Sequence, residues 1–457
     1  MTNSQPLLAE EGRVSTSSAD GHAEERTSLA SSFGTFATIC CTMCGTGILQ
    51  IPYTLSQGGF ASLFMVILVG YMTNWTGKLL VEALYLHPNS NIARIMCYPG
   101  LGEAAYGKKG WLCVQWFHKW TLFGVCTIFL IIAAKFLMEA IGGAGEGLFA
   151  DQFSNNEAFW VKFWTFITAF LVLMPVIAFR SIADLPILSA FGISATVITV
   201  LVVIVFSVDL YPITADSDVP GVDNDDDTPF TPPDHKFLDF GLLPSAFSAI
   251  TLSFGGAANF PSIERTMQKP GDWGKVLDRA FLLLICLYVC VGAIGYNTFG
   301  SMTYSPILCN LPLDDSFKGT LVKITKLLVA FHVICSYPIL MNTLVTEVED
   351  VMGIKNNLCL RFIERTSFVM ATALIAGFMP YFPEFMTLVG ASCLTMIVFV
   401  LPVVFNWKLK NVRQIKISGG EKVFGCCTIL VGLVGGVIGC AQALNDMIEK
   451  INTGAVE

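Results

Sequence analysis

Eleven long runs of apolar residues dominate the 457-residue chain, and short polar segments separate them. A run of about 20 apolar residues crosses a bilayer as an α-helix, because lipid offers the backbone no hydrogen-bond partners. We therefore predict an all-α integral membrane protein with about eleven transmembrane helices. The predicted spans are residues 33–57, 59–83, 113–141, 158–178, 185–208, 240–267, 277–299, 318–349, 360–380, 384–406 and 423–446.

The composition agrees with a membrane bundle. Hydrophobic residues make up 54% of the chain and charged residues only 14%, whereas soluble domains carry about 25% charged residues. The sequence contains no Walker-type phosphate loop, HExxH zinc motif or GxSxG elbow in a supporting context. We therefore expect neither an ATP-driven pump nor a membrane hydrolase, and we expect no metal ion, cofactor or nucleic-acid partner.

The loops between the spans alternate in charge. If the N-terminus is cytosolic, the loops on that side carry nearly all the Lys and Arg residues, which is the positive-inside pattern. The opposite loop at residues 209–238 holds six aspartates between residues 216 and 227 but only one lysine, Lys236. Residues 1–30 are rich in Ser, Glu and Thr and are predicted to form a disordered cytosolic tail. The odd number of spans places the C-terminus outside the cell or in a lumen.

Two of the predicted spans contain helix-breaking residues near their middle. Gly47 stands five places before Pro52 in the first span, and Gly256 stands five places before Pro261 in the sixth. Relative to Ala, a glycine weakens a helix by about 1 kcal/mol and a proline by about 3 kcal/mol. We predict that both helices open in the middle of the membrane. Open backbone is tolerated there only where it is buried or lines a watery cavity.

The positions of the two breaks indicate an inverted repeat. The first and sixth spans would each begin a five-span repeat, at residues 31–208 and 239–406, with an extra helix at 423–446. An odd number of spans turns the second copy upside down, and broken helices at matching positions then mark the central site of a transporter. The alternative is that these glycines and prolines are packing notches or kinks, which are common in membrane helices.

Several segments give the chain a family resemblance. With them it resembles the amino acid/auxin permease family, which is built on the five-plus-five inverted repeat of the leucine-transporter type. Within that family it is most similar to the vesicular inhibitory and vacuolar amino acid transporters, although the Gly-Thr-Gly of the first span is more similar to the proton-coupled plasma-membrane and lysosomal branch. The resemblance implies proton-driven movement of amino acids. The segments are residues 45–53, 57–59, 75–80, 260–267, 336–338 and 388–392.

An amino acid substrate matches the chemistry of broken helices. Exposed N–H groups at the N-terminus of a half-helix bind a carboxylate, and exposed carbonyl groups bind an ammonium. Phe254 is interpreted as an apolar lid beside the break, with core packing or lipid contact as the alternative. The predicted substrate-binding residues are Gly45, Thr46, Gly47, Phe254, Gly255, Gly256, Ala257 and Asn259.

Proton coupling requires a titratable group near the substrate, and ionisable residues inside the membrane are costly and usually functional. His332 lies halfway through the eighth span and shares a helix face with Ser336. Glu264 is a proton acceptor or a gate, or else a structural partner of Arg265 or of a loop lysine. Lys135 is spaced for an ion pair with Glu139, near the outer end of the third span.

These observations lead to one main functional hypothesis and two alternatives. The main hypothesis is a proton-coupled carrier of small neutral amino acids, by exchange or symport, in a vesicular, lysosomal or vacuolar membrane; sodium is the less favoured coupling ion. The alternatives are an amino-acid-sensing receptor and a plasma-membrane symporter. An ion channel is disfavoured because the sequence shows no selectivity filter. The partners implied are the amino acid and the lipid bilayer, and the sequence leaves the oligomeric state open.

Overall fold

The structure is a computed structural model, and it describes most of the chain. The N-terminal tail up to residue 29 and the acidic centre of the outer loop, residues 214–231, lie outside the described residues, so the predictions for them stay predictions. The described residues are 30–89, 93–142, 157–178, 186–213, 232–313, 316–354, 357–379 and 381–453.

Helices form almost all of the described chain, and each predicted span coincides with one helix or one interrupted helix. The first span consists of α1 and α2, the sixth of α7 and α8, and the tenth of α12 and α13. The prediction of an all-α membrane bundle is therefore confirmed. The helices are α1 Ser32–Met43, α2 Ile51–Gly58, α3 Ser62–Leu84, α4 Tyr98–Gly142, α5 Glu157–Ala178, α6 Pro186–Asp209, α7 Leu243–Ser253, α8 Phe260–Arg265, α9 Trp273–Phe299, α10 Phe317–Met352, α11 Leu358–Phe378, α12 Phe382–Val389, α13 Leu401–Val412 and α14 Gly419–Thr453.

Most of these helices can cross a membrane by their length and hydropathy. Among the described residues, seven helices pass both criteria, and the bent pair α1 and α2 counts as an eighth. Helix α7 and the described end of α6, Ser194–Asp209, are apolar but shorter. Helix α11 is less apolar because it carries Arg361, Glu364 and Arg365 near its N-terminus.

The two arginines of α11 are paired inside the bundle. Arg365 is only 1% exposed, and its Nε lies 2.7 Å from Oε1 of Glu349 in α10. Arg361 also lies 3.2 Å from the same oxygen. Arg365 donates further hydrogen bonds to the side chain of Asn342 and to the carbonyl of Val176. A buried ion pair of this kind therefore joins α5, α10 and α11 at one end of the bundle.

The structure corrects the beginning of the third span. The sequence predicted a loop up to residue 112, but α4 begins at Tyr98 and includes Lys108 and Lys109. Gly107 adopts a φ of 64°, which only glycine accepts without strain, and it kinks the helix after its first turns. The prediction failed there because it followed only the apolar run, and this part of the helix is polar.

Close glycine contacts fix the tenth span and the last helix against α7. Residues Gly390–Val400 form a π-helix between α12 and α13. A Cβ atom at Gly390 would lie 2.9 Å from the carbonyl carbon of Ser248 in α7. A Cβ atom at Gly436 of α14 would lie 2.8 Å from the oxygen of Ala391. These contacts hold α7, and therefore the break at its end, in a fixed place.

The buried charges of α11 lead to a stability prediction. Arg365→Met leaves Glu349 with one cation fewer in a buried site, so we expect a loss of about 3–5 kcal/mol in the free energy of unfolding. Lys275→Met is the matched control, because Lys275 has an 80% exposed side chain. Unfolding of the purified variants in detergent measures both. Equal stability of Arg365→Met and the control would contradict the structural role.

Candidate functional site

The first span is interrupted between α1 and α2. Helix α1 ends at Met43, and Gly45 has the extended angles φ −102° and ψ −150°. A 3₁₀ turn, Thr46–Gln50, then leads into α2, which has Pro52 in its first turn. The two halves meet at an angle of 47°. The glycine and the proline therefore open this helix as the sequence predicted.

The sixth span has the same construction. Helix α7 ends at Ser253, a 3₁₀ turn covers Gly255–Asn259, and α8 begins with Pro261 in its first turn. No side chain caps the start of either 3₁₀ turn. The first N–H groups of a helix have no partner within it, and they carry the positive end of its dipole. Each break therefore presents a helix N-terminus that suits an anionic group.

The two broken helices touch where they cross. A Cβ atom at Gly47 would lie 2.7 Å from the Cα of Ser253, so only glycine fits at position 47. Ser253 Oγ donates a hydrogen bond of 3.1 Å to the carbonyl of Gly47. Tyr288 of α9 donates to the carbonyl groups of Met43, at 2.8 Å, and of Ser253, at 2.9 Å. Thr196 of α6 donates to the carbonyl of Cys44. Side chains of neighbouring helices thus satisfy the carbonyl ends of both half-helices.

A cavity of about 350 Å³ adjoins both breaks. Its size is in the range of small-molecule sites. The spans α1, α4, α6, α10 and the sixth and tenth spans supply its wall. The lining residues are Cys41, Thr42, Met43, Cys44, Gly45, Gly47, His118, Thr121, Leu122, Val125, Ile128, Phe129, Gly192, Leu252, Ser253, Gly255, Gly256, Ala258, Asn259, His332, Ser336, Ile339, Leu340, Met386 and Leu394.

The cavity extends from the breaks towards the side of the bundle where α1 begins, here called the N-terminal side. The lining residues of the sixth span lie at the end of α7 and in the break, whereas the lining residues of α4 run from Phe129 back to His118, towards the beginning of that helix. The beginning of α1 and the end of α8 lie on the same side, since the backbone of Ala30 donates to the carbonyl of Thr266. Arg94, which precedes α4, pairs with Glu264 of α8, so α4 begins on this side as well. The lining residues Thr42 and Asn259 are exposed to solvent.

The structure brings most of the predicted substrate-binding residues to this cavity. Gly45, Gly47, Gly255, Gly256 and Asn259 line it. The side chain of Thr46 lies outside the described residues, although its backbone begins the 3₁₀ turn.

Two predicted binding residues lie away from the cavity. Ala257 is buried and does not line it. Phe254 is fully buried, stacks on Phe281 with ring centroids 5.8 Å apart, and leans against Tyr288. It packs in the core behind the break, which is the alternative to the lid interpretation, and in this structure it is not a lid.

His332 lies at the junction of the cavity with a much smaller void. It lines both spaces, and the void, of about 10 Å³, is also bordered by Gly45, Thr196 and Thr199. A Cβ atom at Gly192 would lie 2.7 Å from His332 Nδ1, so the imidazole packs against the backbone of α6. Ser336 lines the cavity one turn later and donates to the carbonyl of His332. His332 is therefore the predicted proton-coupling residue that lies nearest the first break.

The two other predicted coupling residues do not reach the cavity. Glu264 is 1% exposed and pairs with Arg94, not with Arg265 or a lysine; Arg94 Nε donates to Oε2 at 2.8 Å. Tyr85 donates to its other oxygen at 2.5 Å, and burial together with the Glu264 carboxylate raises the pKa of Tyr85 to about 12. Lys135 lies beside Cys309 in the loop that precedes α10.

Several residues around the site escaped the sequence analysis. Tyr288 and Thr196 donate hydrogen bonds to the carbonyl groups at the breaks. In the sequence nothing distinguishes them from the many other polar residues of apolar spans. Lys326 is 1% exposed and pairs with Glu139 at 2.7 Å; a lysine inside a span was a signal that could have found it. His118 lines the cavity in the middle of α4, although it stands only five residues after the predicted start of the third span.

The sequence profile described as "Transmembrane amino acid transporter protein" matches residues 29–445, which is most of the chain. The chain belongs to this family. Two similar members are the Arabidopsis thaliana proteins "Amino acid transporter AVT1I", 26% identical over 89% of this chain and 93% of the relative, and "Amino acid transporter AVT1C", 27% identical over 90% and 68%. Membership in this transmembrane amino acid transporter family makes the chain a multi-pass membrane protein of amino acid transport.

Two solved structures share the fold of this family member. MhsT in complex with L-phenylalanine has a TM-score of 0.54 at 14% identity, covering 90% of this chain and 98% of that one. The Eremococcus coleocola manganese transporter has a TM-score of 0.51 at 12% identity, covering 95% and 89%. The predicted fold class, a leucine-transporter-type bundle with broken first and sixth helices, is confirmed.

The close approach of the two breaks generates a prediction. A Cβ atom at Gly256 would lie 3.0 Å from Met43 Cγ and 3.1 Å from the Thr42 carbonyl. We expect Gly256→Val to abolish transport by filling the space where the ligand meets the backbone, while the protein still inserts and folds. Gly271→Ala is the control, because nothing lies within 4 Å of its added Cβ. Uptake into proteoliposomes, at matched expression, checks this; normal uptake by Gly256→Val would remove the site from the sixth span.

Proposed function

We propose that the protein is a proton-coupled secondary transporter of small neutral amino acids. One observation carries the proposal: two broken helices of an inverted repeat meet at a single cavity, with a histidine beside the first break. This arrangement offers helix N-termini to a carboxylate and a titratable group within the same space.

The lining of the cavity supports a neutral substrate. Of the described residues that line it, only His118, His332 and the thiols of Cys41 and Cys44 are ionisable, and the rest are apolar or neutral. A substrate with a charged side chain would lack a full counter-charge on this wall, and burying an unpaired charge is costly. A zwitterion, in contrast, carries no net charge, and its carboxylate finds positive partial charge at the uncapped N-termini of the 3₁₀ turns.

Close packing of small residues supports a small substrate. A Cβ atom at Gly255 would lie 2.8 Å from Leu394, and Gly256 approaches α1 closely. Glycine allows a ligand to reach the backbone, but the neighbouring side chains leave little room beside it. We therefore expect glycine, alanine and similar amino acids to be preferred over aromatic ones.

The location of His332 supports proton coupling. The void that it shares with Gly45, Thr196 and Thr199 is barely large enough for one water molecule. A cationic imidazolium at this place would lie directly beside the first break, so its charge would depend on how the break is arranged. Protonation of His332 and substrate binding would then depend on each other, which is the linkage that a coupled carrier requires.

The open cavity also suggests the state that this conformation represents. It opens on the N-terminal side, whereas on the opposite side Gln50 is fully buried, with its amide donating to the carbonyl of Pro383. On the topology predicted from the loop charges, this is the cytosol-facing state. We place the protein in a vesicular, lysosomal or vacuolar membrane, where a proton gradient is available, with the plasma membrane as the alternative.

Reconstitution tests the proposal directly. Purified protein in sealed proteoliposomes is given an imposed pH gradient and each of the twenty amino acids in labelled form. We expect accumulation of small neutral amino acids that stops when a protonophore collapses the gradient. Binding without accumulation would favour a receptor, and accumulation driven only by sodium would contradict proton coupling.

The role of His332 generates a separate prediction. We expect His332→Ala to lose gradient-driven accumulation while exchange of labelled for unlabelled substrate continues, because exchange needs the binding site but no net proton movement. His87→Ala is the matched control, since His87 lies in a loop outside the helices. An unchanged response of His332→Ala to the pH gradient would show that the proton binds elsewhere.

A further inference from the structure

A second histidine of the cavity lies beside a carboxylate that the transport mechanism has not used. His118 of α4 lines the cavity, and its Nδ1 lies 3.7 Å from Oε1 of Glu347 in α10. Their side chains are 17% and 29% exposed, so water reaches the pair only in part. Neither His118 Nδ1 nor Glu347 Oε2 has a hydrogen-bond partner among the described residues. Both groups are therefore available to a proton.

The pair of His118 and Glu347 lies on the N-terminal side of the cavity, on the wall that also holds His332. His332, Ser336 and Leu340 line the cavity at four-residue intervals, and Glu347 follows seven residues later on the same face of α10. Fifteen residues of helix separate His332 from Glu347, which is about 22 Å. Helix α4 runs alongside and contributes His118 opposite Glu347. One face of α10 thus extends from His332, beside the first break, to Glu347 of the pair.

The other charges near the pair are few. Lys119, the neighbour of His118, acts on both groups electrostatically. Across the cavity, α1 presents the thiols of Cys41 and Cys44, and α10 presents His332 nearer the breaks. Since a histidine and a carboxylate in contact titrate as a pair, one proton shared between them leaves the pair neutral, and its loss leaves a charge of −1.

We propose that His118 and Glu347 form a second proton site, which sets the pH dependence of substrate binding from the N-terminal side of the cavity. This inference rests on the proposed function, because it assigns a proton to the same transport pathway. The neutral pair leaves the electrostatic potential of the cavity unchanged. The deprotonated pair adds a charge of −1 to the cavity wall and lowers the affinity for a bound carboxylate, although the substrate ammonium and Lys119 offset part of that effect. Binding from this side should therefore weaken as the pH rises.

A double-mutant cycle in detergent tests the site without a membrane gradient. The variants are His118→Gln, Glu347→Gln and the double variant, with His87→Gln as the control. The probe is whichever of the twenty labelled amino acids the reconstituted wild type takes up fastest, and its Kd is measured from pH 5.0 to 8.5. In the wild type we expect the Kd to rise about twofold across this range, because a unit charge about 20 Å away contributes less than about 1 kcal/mol and both salt and the substrate ammonium reduce that further. Thermal unfolding over the same pH range gives a second readout that needs no ligand.

The double-mutant cycle shows whether the two substitutions remove the same proton site. We expect each single variant to remove the rise in Kd and to alter the pH dependence of unfolding, and the double variant to add nothing further. A wild-type pH profile in both single variants would overturn the proposal, as would additive effects of the two substitutions.

The failure of this site can be distinguished from failure of the proposed function. Gradient-driven uptake together with unchanged pH profiles in the variants would overturn the second proton site alone. A pH profile that depends on His118 and Glu347, with uptake that no pH gradient drives, would support the site and overturn proton-coupled transport.

Discussion

The contact between Gly47 and Ser253 is the constraint on which the rest of the structure depends. Two helices whose hydrogen bonding is interrupted approach so closely there that a single Cβ atom would collide with backbone. Both interruptions must lie at the same depth for this contact to form, and the cavity exists because they do. The glycine is therefore needed for the approach of the backbones as much as for the opening of its own helix. The prolines that follow start the second half-helices but make no part of the contact.

The carbonyl groups and the N–H groups at each break differ in their hydrogen-bond partners, and this difference makes the site electrostatically polar. Tyr288, Thr196 and Ser253 occupy the carbonyl groups of Met43, Cys44 and Gly47, whereas no side chain caps the N-termini of the 3₁₀ turns. The uncapped ends retain their positive partial charge and favour a carboxylate. Tyr288 also bonds to the ends of α1 and α7 at once. Because one hydroxyl joins both, any movement that opens the other side of the cavity must carry α1, α7 and α9 together or break these bonds.

The sequence predicted the breaks and His332 because each is an exception to its surroundings. Glycine, proline and an ionisable side chain are costly in an apolar helix, so their presence there indicates a function. Tyr288 carried no such signal, since a tyrosine in an apolar span also suits simple packing. The lid interpretation of Phe254 was wrong, because whether an aromatic ring covers a cavity or fills a core depends on tertiary contacts. His118 gave no signal because it stands at the start of the predicted third span, whereas α4 begins with polar turns at Tyr98 and places His118 well inside the helix.

The charges inside the bundle fall into two groups, and the division bears on how the site works. Strong ions are paired away from the cavity: Arg365 with Glu349, Lys326 with Glu139, and Arg94 with Glu264. Such pairs hold helices together. On the cavity wall, among the described residues, the ionisable side chains are imidazoles and thiols. An imidazole changes its charge near neutral pH. The cavity is thus lined by groups whose charge a single proton can change, while the strong ion pairs lie away from it, and a zwitterionic substrate in the cavity would be next to the groups that change.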